Sequence, residues 1–297
     1  MPSGSKLELV WAAGQFTEGP TLGPDGAIFF SDIGNRTMRF APATGRAVVF
    51  REPSGKSNGL IMDRRGSLIA CEGAREGGNR RVTLNTLTGQ TRVLADRWQG
   101  ERFNSPNDLA IDAKGRIYFT DPRYGDQADR DLDFEGVFLI TGKKVKLATK
   151  DISRPNGILV SLDGKKVFVA DNHSDAKGNH HLVQFNVQKD GSLTDKKVLF
   201  DIGPGKRGID GMTLDEEGNI YATAGKGERS GIYVFSPEGK HMAFIPTGET
   251  PTNCVFGGGK ENSTLYITAQ APKGADGKTA WGLYRIKLKI KGHHIYE

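Results

Sequence analysis

Cysteine is nearly absent from this chain: Cys71 and Cys254 are the only two in 297 residues, far apart in sequence. Such a pair makes neither a disulfide framework nor a cysteine-rich zinc site. Each is expected as a small buried apolar side chain. Histidine is scarce as well, with six in all. His173 follows a predicted strand and could overhang a site; His180, His181, His241, His293 and His294 show no such placement. No Gly-x-Ser-x-Gly run occurs, which removes the local signature of a serine nucleophile. No apolar run approaches the ~18–20 residues of a membrane-spanning helix. Basic residues outnumber acidic ones, 41 to 35. They are scattered and do not alternate with aromatics, so no nucleic-acid surface is expected. Residues 1–10 lack the apolar core of an export leader. The expectation is a soluble protein without nucleic-acid or membrane partners. It is cytoplasmic as written, or periplasmic if a leader has been removed; its oligomeric state is unassigned.

What the chain does contain is glycine, 40 residues of it, and a repeat. In Asn107-Asp108 a polar pair leads into a short apolar strand, a turn at Lys114-Gly115, and a second strand ending in Tyr118-Phe119-Thr120-Asp121. The same order follows Glu18-Gly19, Asn58-Gly59, Asn156-Gly157, Asp210-Gly211 and Asn253-Cys254. The lead residues recur every 40 to 54 positions. Short strands at that period are the mark of β-propeller blades. The prediction is all-β: one six-bladed propeller domain over residues 1–297, with four-stranded blades. The sixth repeat has only three strands of its own, and an open edge is a liability. The orphan strand at residues 6–13 is expected to close it.

Propeller inner strands run along a central channel. The residues that open them, Glu18, Asn58, Asn107, Asn156, Asp210 and Asn253, should therefore converge at one mouth. Two carboxylates and four amides make an all-oxygen ring, suited to a hard cation such as Ca²⁺. The competing explanation is that Asn or Asp before Gly simply makes turns; turn chemistry does not ask for Glu18 or for four amides at one register.

Other signals lead nowhere. Gly274-Ala275-Asp276-Gly277-Lys278-Thr279 resembles part of a phosphate loop, but Pro272 stands where glycine is required and no helix follows. Asp129, Asp131 and Asp133 have calcium-loop spacing without the required glycine or the terminal glutamate, and are expected as a solvated acidic loop. The sequons at Asn35, Asn172 and Asn262 carry little without evidence of secretion.

In Phe103-Asn104-Ser105-Pro106-Asn107-Asp108 and in Thr120-Asp121-Pro122-Arg123-Tyr124-Gly125, the sequence resembles the gluconolactonase branch of the SMP-30/gluconolactonase family. Glu18-Gly19-Pro20, Arg154-Pro155-Asn156-Gly157 and Asp210-Gly211-Met212 extend the likeness over nearly the whole chain. The resemblance implies a six-bladed propeller that opens sugar lactones with a divalent metal. It implies Glu18, Asn156 and Asp210 as metal ligands, Asn107 as a fourth, and Arg102 and Asn104 as sugar contacts. Asp121 and Tyr124 are added as hydroxyl contacts, and Asp210 as the catalytic base or nucleophile. One divalent cation is expected, Ca²⁺ first, with Mg²⁺, Mn²⁺ or Zn²⁺ as alternatives. Where many relatives carry a His-Gly pair, this chain has Cys71-Glu72-Gly73, which would bring a carboxylate near the mouth. Two other readings stand beside this one: a phosphotriester or aryl-ester hydrolase on the same metal site, and a non-catalytic propeller that binds a protein partner.

Overall fold

The computed structural model describes residues 4–173, 178–203, 207–273 and 277–295. Six four-stranded antiparallel sheets account for most of it. The first strand, β1 (Glu8–Gly14), stands apart from the sheet that follows it. Blade one holds β2 (Thr17–Leu22), β3 (Ile28–Asp32), β4 (Arg36–Ala41) and β5 (Arg46–Arg51). Blade two holds β6 (Ser57–Met62), β7 (Leu68–Glu72), β8 (Arg81–Asn85) and β9 (Thr91–Ala95). A small ribbon follows, β10 (Arg97–Trp98) with β11 (Glu101–Arg102). Blade three is β12 (Leu109–Ile111), β13 (Ile117–Asp121), β14 (Gly136–Thr141) and β15 (Lys144–Thr149). Blade four is β16 (Pro155–Val160), β17 (Lys166–Asn172), β18 (His180–Val187) and β19 (Leu193–Asp201). Blade five is β20 (Met212–Leu214), β21 (Ile220–Ala224), β22 (Gly231–Phe235) and β23 (His241–Pro246). Blade six has β24 (Pro251–Phe256), β25 (Thr264–Ala271) and β26 (Ala280–Lys287).

β1 supplies the missing fourth strand. It pairs antiparallel with β26, Glu8 opposite Arg285 and Leu9 opposite Tyr284. Arg285 Nε donates to Glu8 Oε2 at 2.8 Å, and the Trp11 ring meets Phe30 edge-on with centroids 5.2 Å apart. The inner strands touch in the cycle β2, β6, β12, β16, β20, β24 and back to β2, which closes the ring of six blades.

The core lies in the seams between blades. Each second strand is sandwiched on both faces, so its apolar residues run without polar interruption. Phe29 of β3 faces the seam with blade two, beside Leu60 and Leu68. Its neighbour Phe30 faces the seam with blade six, beside Tyr266 and Leu283. Phe119 and Tyr118 divide in the same way, Phe119 toward Val82 and Tyr118 toward Val169 and Val183. This period-two alternation lets one strand serve two seams.

The inner strands change register at their lead residues. The β2–β3 ladder is interrupted between Glu18 and Thr21, the β6–β7 ladder between Ser57 and Leu60, and the β16–β17 ladder between Pro155 and Ile158. A break of this kind re-aims a side chain. The glycines that follow the leads serve close packing. A Cβ on Gly157 would lie 2.2 Å from Asp210 O, and one on Gly211 would lie 1.9 Å from Asn253 Cγ. Adjacent inner strands approach too closely there for any side chain, so these Asn-Gly and Asp-Gly pairs are ring contacts rather than turns. Of the Gly274–Thr279 run, residues 274–276 lie outside the described residues.

Candidate functional site

A cavity of about 930 Å³ opens at one mouth of the channel. Five of the six lead residues line it: Glu18, Asn58, Asn107, Asn156 and Asp210. Asn253 does not. The backbone carbonyl that takes the neighbouring blade's N–H belongs to Asn107, Asp210 and, in blade six, Thr252 (Gly211 N to Thr252 O, 2.7 Å). Thr252, not Asn253, is therefore the sixth ring position, and its hydroxyl is tied to Thr17 O and Thr268. Asn253 lies one layer deeper, where its Nδ2 reaches Asp108 Oδ2 at 3.4 Å. Both residues line a second cavity of about 940 Å³ at the opposite mouth, which is walled by inner-strand leucines, isoleucines and methionines. The two cavities match in size, and only the first has the oxygen-donor ring.

The ring is crowded with negative charge. Burial, then the charges of Asp210 and Asp108, push Glu18 well above the usual carboxylate range; the Gly19 amide and Arg207 oppose this. Burial also raises Asp210, against the pull of Arg207 and an Asn156 hydrogen bond. Burial takes Asp108 up to about 7. Arg207 Nη2 forms an ion pair with Asp210 Oδ2, while Arg207 Nη1 is buried with no partner among the described residues. One guanidinium thus opposes the two ring carboxylates, with Asp108 beneath them. Among the described residues no three His, Cys, Asp or Glu side chains converge as a metal cluster. The donors here are of a different kind, two carboxylates with amide oxygens from Asn156, Asn107 and Asn58. A hard dication fits that set, because it would offset the repulsion that burial intensifies.

Of the expected sugar contacts, the structure brings only Tyr124 to the cavity. Arg102 sits on the β10–β11 ribbon and grips Asp131, with Nε–Oδ2 at 2.7 Å and Nη2–Oδ1 at 2.6 Å. Asn104 is wholly buried. Its Nδ2 donates to Phe134 O at 2.8 Å, and its Oδ1 accepts from Arg130 Nε at 3.2 Å. Asp121 is buried and accepts the backbone N–H groups of Asn104 and Ser105, both at 2.7 Å. Burial pushes Asp121 up to about 7 despite those two amides. The same latch recurs. Asp32 takes the N–H groups of Gln15 and Phe16 (2.9 and 3.0 Å), and Asp171 those of Ser153 and Arg154 (3.3 and 2.9 Å). In each blade the donors stand three and two residues before the ring residue. These aspartates secure the entry into the inner strand, so Arg102, Asn104 and Asp121 have structural partners where substrate contacts were expected.

Glu72 is also redirected. It is fully buried away from the cavity, accepting from Arg51, Asn79, Arg81 and Thr83. Asp129 and Asp133 lie exposed in the expected solvated loop and Asp131 is half-buried, but two of the three carboxylates are held in ion pairs. Asp129 pairs with Arg80 and Arg123, and Asp131 pairs with Arg102. Both cysteines are free and buried, as expected.

The structure adds residues that the sequence pattern did not single out. Phe16, Lys56 and Ser105 line the cavity. Each stands two positions before a ring residue, a register that could have been read from the repeat. Arg207 has no counterpart in that pattern. His180 joins His173 at the cavity, and its ring nitrogens face His173 O (2.8 Å) and Gly203 O (3.3 Å).

A profile of the SMP-30/gluconolactonase/LRE-like region matches residues 16–271. The chain belongs to the SMP-30/gluconolactonase family. The family region spans every ring residue and stops short of the closing strands β1 and β26. A gluconolactonase of Zymomonas mobilis is 31% identical, over 89% of this chain and 78% of its own. The structure of a gluconolactonase from Xanthomonas campestris superposes with a TM-score of 0.80 at 25% identity, over 96% of this chain and 90% of that one. A calcium-binding regucalcin from Agrobacterium tumefaciens shares the family fold, with a TM-score of 0.74 at 21% identity over 97% and 96% of the two chains. No helix among the described residues is long and apolar enough to cross a membrane.

Proposed function

We propose that this chain hydrolyses sugar lactones at the ring mouth, with one divalent cation held by Glu18, Asn156 and Asp210 and with Asn107 as the fourth ligand. The observation that carries this reading is the mixed carboxylate and amide ring gathered in one cavity. The cavity is of ordinary small-ligand size. The relatives named gluconolactonase support the lactone as substrate. Ca²⁺ is the first choice, because it takes irregular sets of oxygen ligands; the calcium-binding regucalcin supports it. Mg²⁺ and Mn²⁺ are alternatives. Zn²⁺ suits the ring less, since the ring has no His or Cys.

When bound, the cation supplies Lewis-acid polarisation of the lactone carbonyl and charge stabilisation for the oxyanion. The residues do the rest. Asp210 accepts a proton from the attacking water as its oxygen bonds to the carbonyl carbon. The ring C–O bond then breaks, and Asp210 returns the proton to the departing alkoxide. Beside a dication the Asp210 carboxylate stays in the charged form, so Asp210 serves as the base by positioning the attacking water. Arg207 occupies one carboxylate oxygen and so restrains the rotation of the group. Tyr124 and the lysine and serine at the rim, Lys56 and Ser105, face the space where the lactone hydroxyls would lie.

The test is a substrate panel of sugar lactones, aryl esters and phosphotriesters, assayed with and without chelator. Chelator-sensitive lactone hydrolysis, restored by Ca²⁺, Mg²⁺ or Mn²⁺ to differing extents, is the expected result. Full lactonase activity after exhaustive chelation, verified by elemental analysis, refutes the metal. Hydrolysis of aryl esters or phosphotriesters without lactones refutes the substrate, and no turnover at all leaves a binding propeller.

A further inference from the structure

The three ring amides are held differently. Asn58 and Asn107 have no side-chain hydrogen bond among the described residues. Asn156 does: its Nδ2 lies 2.9 Å from the Tyr124 hydroxyl oxygen, and its amide also hydrogen-bonds Asp210. Tyr124 Oη in turn lies 3.2 Å from Asn172 O. A backbone carbonyl can only accept, so the one phenolic proton goes to Asn172. The Tyr124 oxygen is then left as an acceptor toward Asn156. An acceptor there requires the NH₂ side of the Asn156 amide. The Asn156 carbonyl oxygen, Oδ1, is left without a hydrogen-bond donor among the described residues.

Tyr124 is itself well fixed. Its neighbour Arg123 is buried, donates to Asn104 O at 2.9 Å and Asp126 O at 2.6 Å, and pairs with Asp129. The Arg154 guanidinium lies over the Tyr124 ring, 5.4 Å from its centre, and is held there by two bonds to Glu135. Asn172 is anchored by its own N–H to Arg154 O at 2.9 Å. Both ends of the relay therefore rest on secured backbone.

We propose that Tyr124 is a positioning residue that sets the Asn156 amide with its oxygen free for the ring. Of the three amides, Asn156 alone is then preset as an oxygen donor. Asn58 and Asn107 can turn either face inward. This rests on the metal reading above and deepens it, because it names what makes one amide a ligand in advance of binding. Groups that orient a ligand without touching the ion typically cost ~10–100-fold in metal affinity when removed.

The experiment is a Ca²⁺ titration by calorimetry on chelator-treated, full-length protein. The proteins are the parent, Tyr124→Phe, Asn156→Asp and the double variant. Phe keeps the ring under Arg154, and position 124 is 38% exposed, so a thermal melt in chelator should match the parent. Tyr124→Phe is expected to weaken Ca²⁺ binding ~10-fold. In the Asn156→Asp background the same change should cost less than ~2-fold, since a carboxylate has two equivalent oxygens and no wrong face. Unaltered affinity in Tyr124→Phe overturns the proposal. An equal loss in both backgrounds also overturns it, because Tyr124 would then act through packing. A parent that binds no Ca²⁺ refutes the metal reading itself, and this proposal falls with it before any variant is compared.

Discussion

Glu18→Gln and Asp210→Asn remove the same charge from the same ring, yet they should move the metal-free fold by different amounts. Glu18 is buried against the charges of Asp210 and Asp108. Its pKa in the folded chain lies above its unfolded value. Stability is therefore lost as pH rises from the unfolded value through the folded one. Gln removes that loss and keeps an oxygen to accept the Gly19 amide, a 3.1 Å bond in the parent. In chelator at pH 8, Glu18→Gln should melt above the parent, and the gain should vanish below about pH 4, where the unfolded carboxylate is also protonated. Asp210→Asn instead breaks the ion pair with Arg207, whose other amino group is already buried with no partner among the described residues. Asp210 is itself raised by burial despite Arg207, so at pH 8 the same linkage gives Asp210→Asn a gain too, smaller than that of Glu18→Gln because Arg207 loses its partner. Added Ca²⁺ then separates ligand from base. At a hundred times Kd the parent gains ~2.7 kcal/mol, whereas Glu18→Gln should gain little until much more Ca²⁺ is present, and then recover much of its rate. Asp210→Asn should bind Ca²⁺ somewhat more weakly and stay ~10²-fold slow or worse at saturation. Differential scanning fluorimetry across pH, calorimetry and turnover at saturating Ca²⁺ make the test. If Glu18→Gln melts below the parent in chelator at pH 8, the repulsion argument fails. If saturating Ca²⁺ restores Asp210→Asn, Asp210 is only a ligand and His173 is the next base to examine.

Three further outcomes follow from the geometry. Arg102→Ala should leave KM for a neutral sugar lactone within about 2-fold, since Arg102 is engaged by Asp131 and does not line the cavity; a tenfold rise in KM would support Arg102 as a substrate contact. Deleting residues 1–14 removes β1 and the Trp11–Phe30 contact, so it should cost several kcal/mol against a marginal total; a truncated protein with the parent's Tm would show that blade six does not need that strand. Asp32→Ala leaves the Gln15 and Phe16 amides without their acceptor, at ~1.5–3 kcal/mol for each bond to a charged group before water compensates. It should lower both the melting temperature and the Ca²⁺ affinity, through the Glu18 strand; a chemical denaturation curve that overlays the parent's would end the latch interpretation.

Much of this protein can be read from its residues in order. The spacing of the lead pairs sets six blades, because each blade must return the chain to the channel after four short strands. Unbroken apolar runs such as Ile28-Phe29-Phe30 mark the second strands, since only a strand buried on both faces needs no polar side. The short sixth repeat and the orphan strand at the start predict each other. The mouth-facing residues Glu18, Asn58, Asn107, Asn156 and Asp210 follow from the same repeat. The tertiary structure decided what those residues meet. In blade six the β24–β25 ladder shifts between Pro251 and Asn253, so Thr252 takes the ring position and Asn253 drops to the layer of Asp108. Asp121 and Glu72 look like mouth carboxylates because they end second strands. They bend away to backbone amides and to arginines that arrive from elsewhere in the chain. Arg207 meets Asp210, and Tyr124 meets Asn156, through loops whose paths no repeat encodes. Periodicity sets which way a side chain faces, but a buried polar group must find a partner, and that partner is chosen by whichever loops the closed ring brings within ~3 Å.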